Sequence, residues 1–120
     1  MTEPEFRRQW RFYRTAAGAS PVHDYLSGLD TADRARVRLA MLAVTREGRA
    51  VARHVHDDVY EVRAGRTGRA WRVLFAAEGR YNHVLLALSA FEKKTQQTPQ
   101  SEIERAEARL RDWRNRGRSR

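Results

Sequence analysis

An α+β domain is predicted by three features of the chain. Three strand-like segments follow one another between residues 59 and 91, helix signals are grouped before and after them, and there is no internal repeat. The segments cover residues 59–64, 71–77 and 83–91, and the short connections between them contain glycine, as antiparallel hairpins require. The expected architecture is an antiparallel-rich sheet of about four strands, with two N-terminal helices on one face and a helix at the C-terminal end.

Taken in order, residues 6–14 carry Phe6, Trp10, Phe12 and Tyr13 and read as an opening strand. Ser20-Pro21 matches an N-cap followed by proline at the first helical position, ahead of a Val22, Tyr25, Leu26 and Leu29 stripe. A second helix starts at Asp30 or Thr31. It turns Val37, Ala40, Met41 and Val44 inward and stops at Gly48, while Arg34, Arg36, Arg38 and Arg46 form its solvated face. A short strand is expected around residues 53–55. Thr98-Pro99 repeats the cap-and-proline signal and opens a last helix carrying Ile103, Ala106, Leu110 and Trp113 at three-four spacing. Residues 1–5 and 115–120 are expected to be flexible ends of a single domain spanning 1–120.

Composition narrows the function. The chain has no cysteine, which excludes disulfides, thiolate metal sites and cysteine nucleophiles. No apolar run backs the charged N-terminus and none reaches the length of a membrane span, so a cytoplasmic protein without a membrane partner is expected. Twenty-four Lys and Arg against 15 Asp and Glu give a net charge of +9. That excess favours polyanions, either nucleic acid or an acidic protein.

Side chains alternate faces along a strand. Tyr60 and Val62 therefore share one face, with Glu61 and Arg63 opposite. Trp71, Val73, Phe75 and Ala77 form an apolar face and leave Arg72 and Leu74 on the other. In the third segment Val84, Leu86 and Leu88 continue the apolar face, while Leu85, Ala87, Ser89, Phe91 and Lys93 turn away. Aligning the apolar faces packs Val62, Val73, Phe75, Leu86 and Leu88 against Leu26, Met41 and Val44. It also gathers Glu61, Arg63, Arg72 and Lys93 on a cationic second face, the expected working surface.

Other motifs carry less. His54 and His56 alternate on a strand and would share a face, but two ligands beside Asp57 and Asp58 fall short of a metal set, and no metal is expected. The loop 65–69 lacks Walker spacing and reads as a basic hairpin tip. Tyr81 and Phe91 offer stacking surfaces for bases, or simply packing. Neither Gly-x-Ser-x-Gly nor His-Glu-x-x-His occurs.

The segments 59–63, 71–75 and 86–99, with Glu102, Ile103 and Ala106, resemble the toxins of type II toxin–antitoxin systems. The resemblance is to the phage-derived, HigB-like branch of the RelE/ParE superfamily and spans nearly the whole chain. Its most specific part is Phe91-x-Lys93-Lys94-Thr95-x-x-Thr98-Pro99, whereas Arg53 and Val55 stand where the branch usually has lysine and leucine. A RelE-like fold is implied, together with a metal-independent, ribosome-dependent mRNA endonuclease that uses no cofactor. The partners implied are mRNA, the ribosome and a cognate antitoxin with a helix-turn-helix domain, an acidic part of which would cover the cationic face.

The chemistry implied is attack of a ribose 2′-hydroxyl on the adjacent phosphorus, which needs a proton acceptor, cations for the phosphorane and a donor for the leaving oxygen. By resemblance Glu61 is the candidate base, Arg72 holds the scissile phosphate, and Lys93 is a phosphate clamp or proton donor. Arg63, Arg66, Arg69, Phe91 and Lys94 are the candidate RNA-binding residues. The Tyr or His that related nucleases carry near the C-terminus has no clear equivalent. Two alternatives stand beside this reading: a ParE-like DNA gyrase poison without nuclease activity, and a non-catalytic RNA- or ribosome-binding module.

Overall fold

The computed structural model describes residues 7–66, 68–94 and 96–118, with the backbone alone for Arg66 and Arg118. Phe6, Thr67, Thr95 and the outermost ends, expected to be flexible, lie outside the described residues. The elements in order are β1 (Gln9–Phe12), α1 (Pro21–Ser27), α2 (Thr31–Glu47), β2 (Arg53–His56), β3 (Val59–Arg66), β4 (Arg69–Glu78), β5 (Val84–Glu92) and α3 (Gln100–Arg118). The last helix continues past Arg114, where fraying was expected, to Arg118.

The sheet has five strands rather than about four, in the order β1-β5-β4-β3-β2. β2 to β5 form an antiparallel meander, and β1 adds to β5 in parallel, so the sheet is mixed. A parallel pair needs a crossover. Here α1 and α2 carry the chain from the β1 edge over one face to the β2 edge. Asp30 caps α2, its carboxylate accepting from the Asp33 N–H at 2.8 Å. Ser20 makes no such side-chain bond at the start of α1, although Pro21 occupies the first turn as expected. At the β3–β4 turn Gly65 is required: a Cβ there would come within 2.6 Å of the Arg69 carbonyl and Ala70 Cα, and φ is +140°.

Helices cover both faces, which corrects the expectation of a single covered face. Under α1 and α2 lie Val22, Leu26, Val37, Met41, Val44, Val62, Trp71, Val73, Phe75, Leu85 and Ala87. Under α3 a second core joins Tyr13, Val59, Leu74, Ala76, Leu86, Leu88, Ala106 and Leu110. Leu86 and Leu88 are therefore buried, but on the opposite side of the sheet from Leu26 and Met41. The cause is a bulge: Leu74 pairs with Ser89 and Phe75 with Ala87, leaving Leu88 as the extra residue. Beyond it Ser89 and Phe91 share the face of Arg72, as simple alternation had placed them; before it, every residue of β5 is on the other side from its expected one.

Candidate functional site

The carboxylate of Glu61 is the centre of a polar cluster on the α3 side of β3. Register explains the gathering, because Arg53 pairs with Glu61 across β2–β3, Arg63 with Arg72 across β3–β4, and Arg72 with Phe91 across β4–β5. Glu61 Oε1 lies 3.2 Å from Arg63 Nε and 3.6 Å from Arg53 Nε. Its Oε2 accepts from the Thr98 hydroxyl at 2.6 Å and lies 3.7 Å from an Arg72 guanidinium nitrogen. Both lone-pair regions are thus occupied, one by surface guanidiniums and one by buried groups.

Depth separates these cations. Arg72 is 0% exposed and Glu61 1%, whereas the side chains of Arg53 and Arg63 are 54% and 45% exposed. Arg72 donates to the Thr98 hydroxyl at 3.1 Å and to the Gln96 carbonyl at 2.7 Å, so residues 96–98 lie across it like a strap. Burial pulls the guanidinium pKa of Arg72 below its ordinary value, and Glu61 works in the opposite direction. The expected open cationic face is consequently a partly covered one: residues 96–98 lie over Arg72, while the β2–β3 end stays open. There Ala50, Val51, Ala52, Arg53, Glu61 and Arg63 line an open depression of about 450 Å³.

The remaining predicted residues divide. Lys93 follows β5 beside the strap, donating its backbone N–H to Ala70 at 2.7 Å and its ammonium to Gln96 Oε1 at 3.4 Å. Phe91 is half-buried against the α3-side core, in register with Arg72, and so packs instead of standing free. Arg69 and Lys94 leave the cluster altogether. Both bond Glu92 at 2.7 Å, and Arg69 stacks over Trp71 at 4.9 Å on the α1–α2 side. Arg66 is in β3 at the turn, and its side chain is outside the described residues. Two participants were not singled out from sequence. Arg53 was named as a residue of a short strand and as a departure from the branch's usual lysine, without a role at the site, and Thr98 read as a helix cap when its hydroxyl in fact serves Glu61 and Arg72.

His54 and His56 do not share a face. A bulge between them pairs His54 with Tyr60 and His56 with Val59, which sends the two rings to opposite sides. His54 packs edge-on against Tyr60, while His56 meets Glu107 of α3. One ligand atom each from His56, Asp57 and Glu107 lies within 4.8 Å of the others, a donor set that could hold a cation at the surface. Arg114 flanks it, bridging Asp58 at 3.0 Å and Glu78 at 2.8 Å. No described helix is long and apolar enough to cross a membrane.

Comparison with curated proteins finds no match. Residues 24–111 match the family of phage-derived Gp49-like proteins (DUF891), a span that runs from within α1 into α3 and takes in every residue described around Glu61. Over that length the match decides membership: the chain belongs to the phage-derived Gp49-like family, a toxin-like family of toxin–antitoxin systems whose members imply a cognate antitoxin.

Proposed function

We propose that the chain is a type II toxin of the RelE/ParE superfamily, in its HigB-like branch, and that it cleaves mRNA on the ribosome without a metal. The observation that carries this reading is the Glu61 carboxylate buried directly beneath an open depression rimmed by Arg53 and Arg63. Two half-exposed guanidiniums facing one opening form a phosphate cradle, since the planar fork suits phosphate oxygens. A phosphate bound there competes with Oε1 for Arg53 and Arg63. That frees the carboxylate oxygen to accept the proton of a 2′-hydroxyl, while the cations hold the charge that develops on phosphorus.

Arg72 has a different part. Fully buried and held by Gln96 and Thr98, it fixes Glu61 from behind and lends its charge without touching substrate. Contact with phosphate would require the strap to move. Lys93 stands at the base of that strap and is the candidate proton donor to the leaving oxygen. The antitoxin, with a helix-turn-helix domain, would act by covering the depression.

The test is to express the protein alone in cells and map mRNA ends after arrest, for the parent chain, Glu61→Gln and Arg53→Ala/Arg63→Ala. Cleavage should fall on the order of 100- to 1000-fold when a preorganised charge is lost. Glu61→Gln should bind RNA as tightly as the parent or more so. Arrest with intact mRNA and trapped gyrase–DNA breaks would move the chain to the gyrase poisons. The burial of Glu61 and Arg72 favours a second reading, a non-catalytic RNA-binding module. Parent-rate cleavage by Glu61→Gln, or arrest that spares both substrates, would sink the proposed mechanism.

A further inference from the structure

The edge of the sheet farthest from Arg53 carries a second basic pocket. β1 is the edge strand there, and with the last turns of α3 it encloses about 310 Å³ lined by Arg11, Phe12, Arg14, Trp113, Arg116 and Gly117. No acidic side chain is among the residues that line it. Arg11 and Arg14 are exposed and have no acidic partner among the described residues. Asp112, the carboxylate that reaches this corner, is already engaged: it accepts from the Tyr13 hydroxyl at 2.5 Å and pairs with Arg116 at 2.9 Å.

The pocket is held in shape. Arg116 donates to the carbonyl of Arg14, which joins the end of α3 to the residue leaving β1. Trp113 is half-buried against the α3-side core and still lines the opening, so its indole is fixed on one side and available on the other. Gly117 leaves the mouth clear, because a Cβ there would meet nothing within 4 Å. Asp112 answers Arg116, but Arg11 and Arg14 bring two further guanidiniums to the same opening, and these repel unless an anion relieves them. The volume lies at the small end of the range for ligand sites, roughly 300–1,000 Å³, which suits one base and its phosphate.

We propose that this corner binds a single-stranded polynucleotide, with Arg11, Arg14 and Arg116 on a backbone phosphate and Trp113 stacked on a flanking base. Guanidinium forks match phosphate, and an aromatic ring beside a cationic groove takes any unpaired base by its face. Bases within a duplex are already stacked and do not offer that face. The site is at the opposite edge of the sheet from the Glu61 depression, so it grips a strand and does not cut it. It does not rest on the cleavage reading.

The probe is a fluorescein-labelled twelve-nucleotide oligothymidylate, followed by anisotropy with the full chain, beside an oligouridylate of the same length. The DNA strand lacks the 2′-hydroxyl, so binding is read independently of any cleavage. Arg11→Ala and Arg14→Ala should each weaken binding and make its salt dependence shallower. Trp113→Leu, which keeps an apolar side chain on the core, should weaken it about 5- to 150-fold. Trp fluorescence should be quenched as the strand saturates the parent and not in that variant. Arg38→Ala on the outer face of α2 should bind as the parent does.

Equal loss in Arg38→Ala and Arg11→Ala would overturn the proposal in favour of diffuse attraction. So would a twelve-residue oligoglutamate that binds as tightly as the strand and with the same dependence on Arg11, since the corner would then be an acidic-peptide site. A strand that binds the parent without quenching Trp fluorescence would remove the stacking contact and with it the assignment.

Discussion

The face of the sheet under α1 and α2 buries hydrocarbon and aromatic groups from one end to the other: Val62, Val73, Phe75, Leu85 and Ala87 meet Val22, Leu26, Val37, Met41 and Val44. The face under α3 is apolar around Val59, Leu74, Leu86, Leu88, Ala106 and Leu110, and ionic at the end of the face around Glu61 and Arg72. Both come from the same alternating strands. The first face is held mainly by shape, whereas part of the second buries opposite charges that must answer each other, because an ion removed from water costs several kcal/mol before its partner returns anything. Folding alone is served at least as well by an apolar pair of similar volume. The ionic end is therefore the part of the sheet where stability and function can be pulled apart.

The largest effect is expected on the apolar face. Phe75 is 0% exposed and wedged between the Trp10 and Tyr60 rings, with centroids 5.1 and 6.1 Å away. Phe75→Ala should cost about 3–5 kcal/mol in chemical denaturation. Leu86→Ala, on the other face, should cost about 2–5 kcal/mol, and through loss of contact with α3 rather than with α2. If α2 loosened instead, seen as faster amide exchange there, the assignment of β5 side chains to faces would be reversed.

Next comes the buried pair. Arg72→Met leaves Glu61 without its deepest cation and should cost about 3–5 kcal/mol, as breaking one partner of a buried pair does. Glu61→Gln/Arg72→Met should recover much of that loss, since both charges are gone. A double variant no more stable than Arg72→Met alone would mean that the pair adds nothing beyond the packing of its stems. The contrast between the two faces would then be one of appearance only.

Much of this contrast was legible beforehand, and the part that was not has a physical cause. Alternation correctly placed Glu61, Arg63 and Arg72 on one side of β3 and β4, because no bulge separates those residues. It failed at Leu85 to Leu88 and again at His54 and His56, and in both places one extra residue shifts the register. A bulge leaves no reliable trace in composition. The helix signals at Asp30 and Pro21 were sound, but nothing in them says which face α3 will cover. That choice turned an expected open surface into a buried cluster. Thr98 shows the same limit on a smaller scale, because a threonine before proline reads as a cap until the strap is seen crossing Arg72.

A smaller effect is expected at Thr98. Its hydroxyl donates to Glu61 and accepts from Arg72, so Thr98→Val leaves two buried polar groups each short of a partner. The expected cost is about 1–3 kcal/mol, with Thr98→Ser close to the parent. Hydrogen exchange should speed up at residues 96–98 and not on the α1–α2 side. Equal stability of Thr98→Val and the parent would show the strap to be held by the Gln96 carbonyl alone.

The smallest effect is at the surface, where β2 meets α3. The His56 pKa is raised above the ordinary imidazole value, first by the hydrogen bond to Glu107 and then by the charges of Asp57 and Glu107. Asp58, two residues along the chain, is engaged by Arg114 at 3.0 Å. A folded-state pKa raised in this way contributes stability that is fully present below the ordinary imidazole value and is lost as pH rises through the higher folded one. The clasp between the β2–β3 turn and α3 should therefore weaken from about pH 6 upward. Because the ring is exposed, the gain is small and screened by salt. An NMR titration should find His56 above the free-imidazole value in the parent and nearer to it in Glu107→Gln. The melting temperatures of the two proteins should differ most on the acid side and converge as pH rises. A gap that stayed constant across that range would mean that Glu107 stabilises α3 for reasons unrelated to the charge on His56.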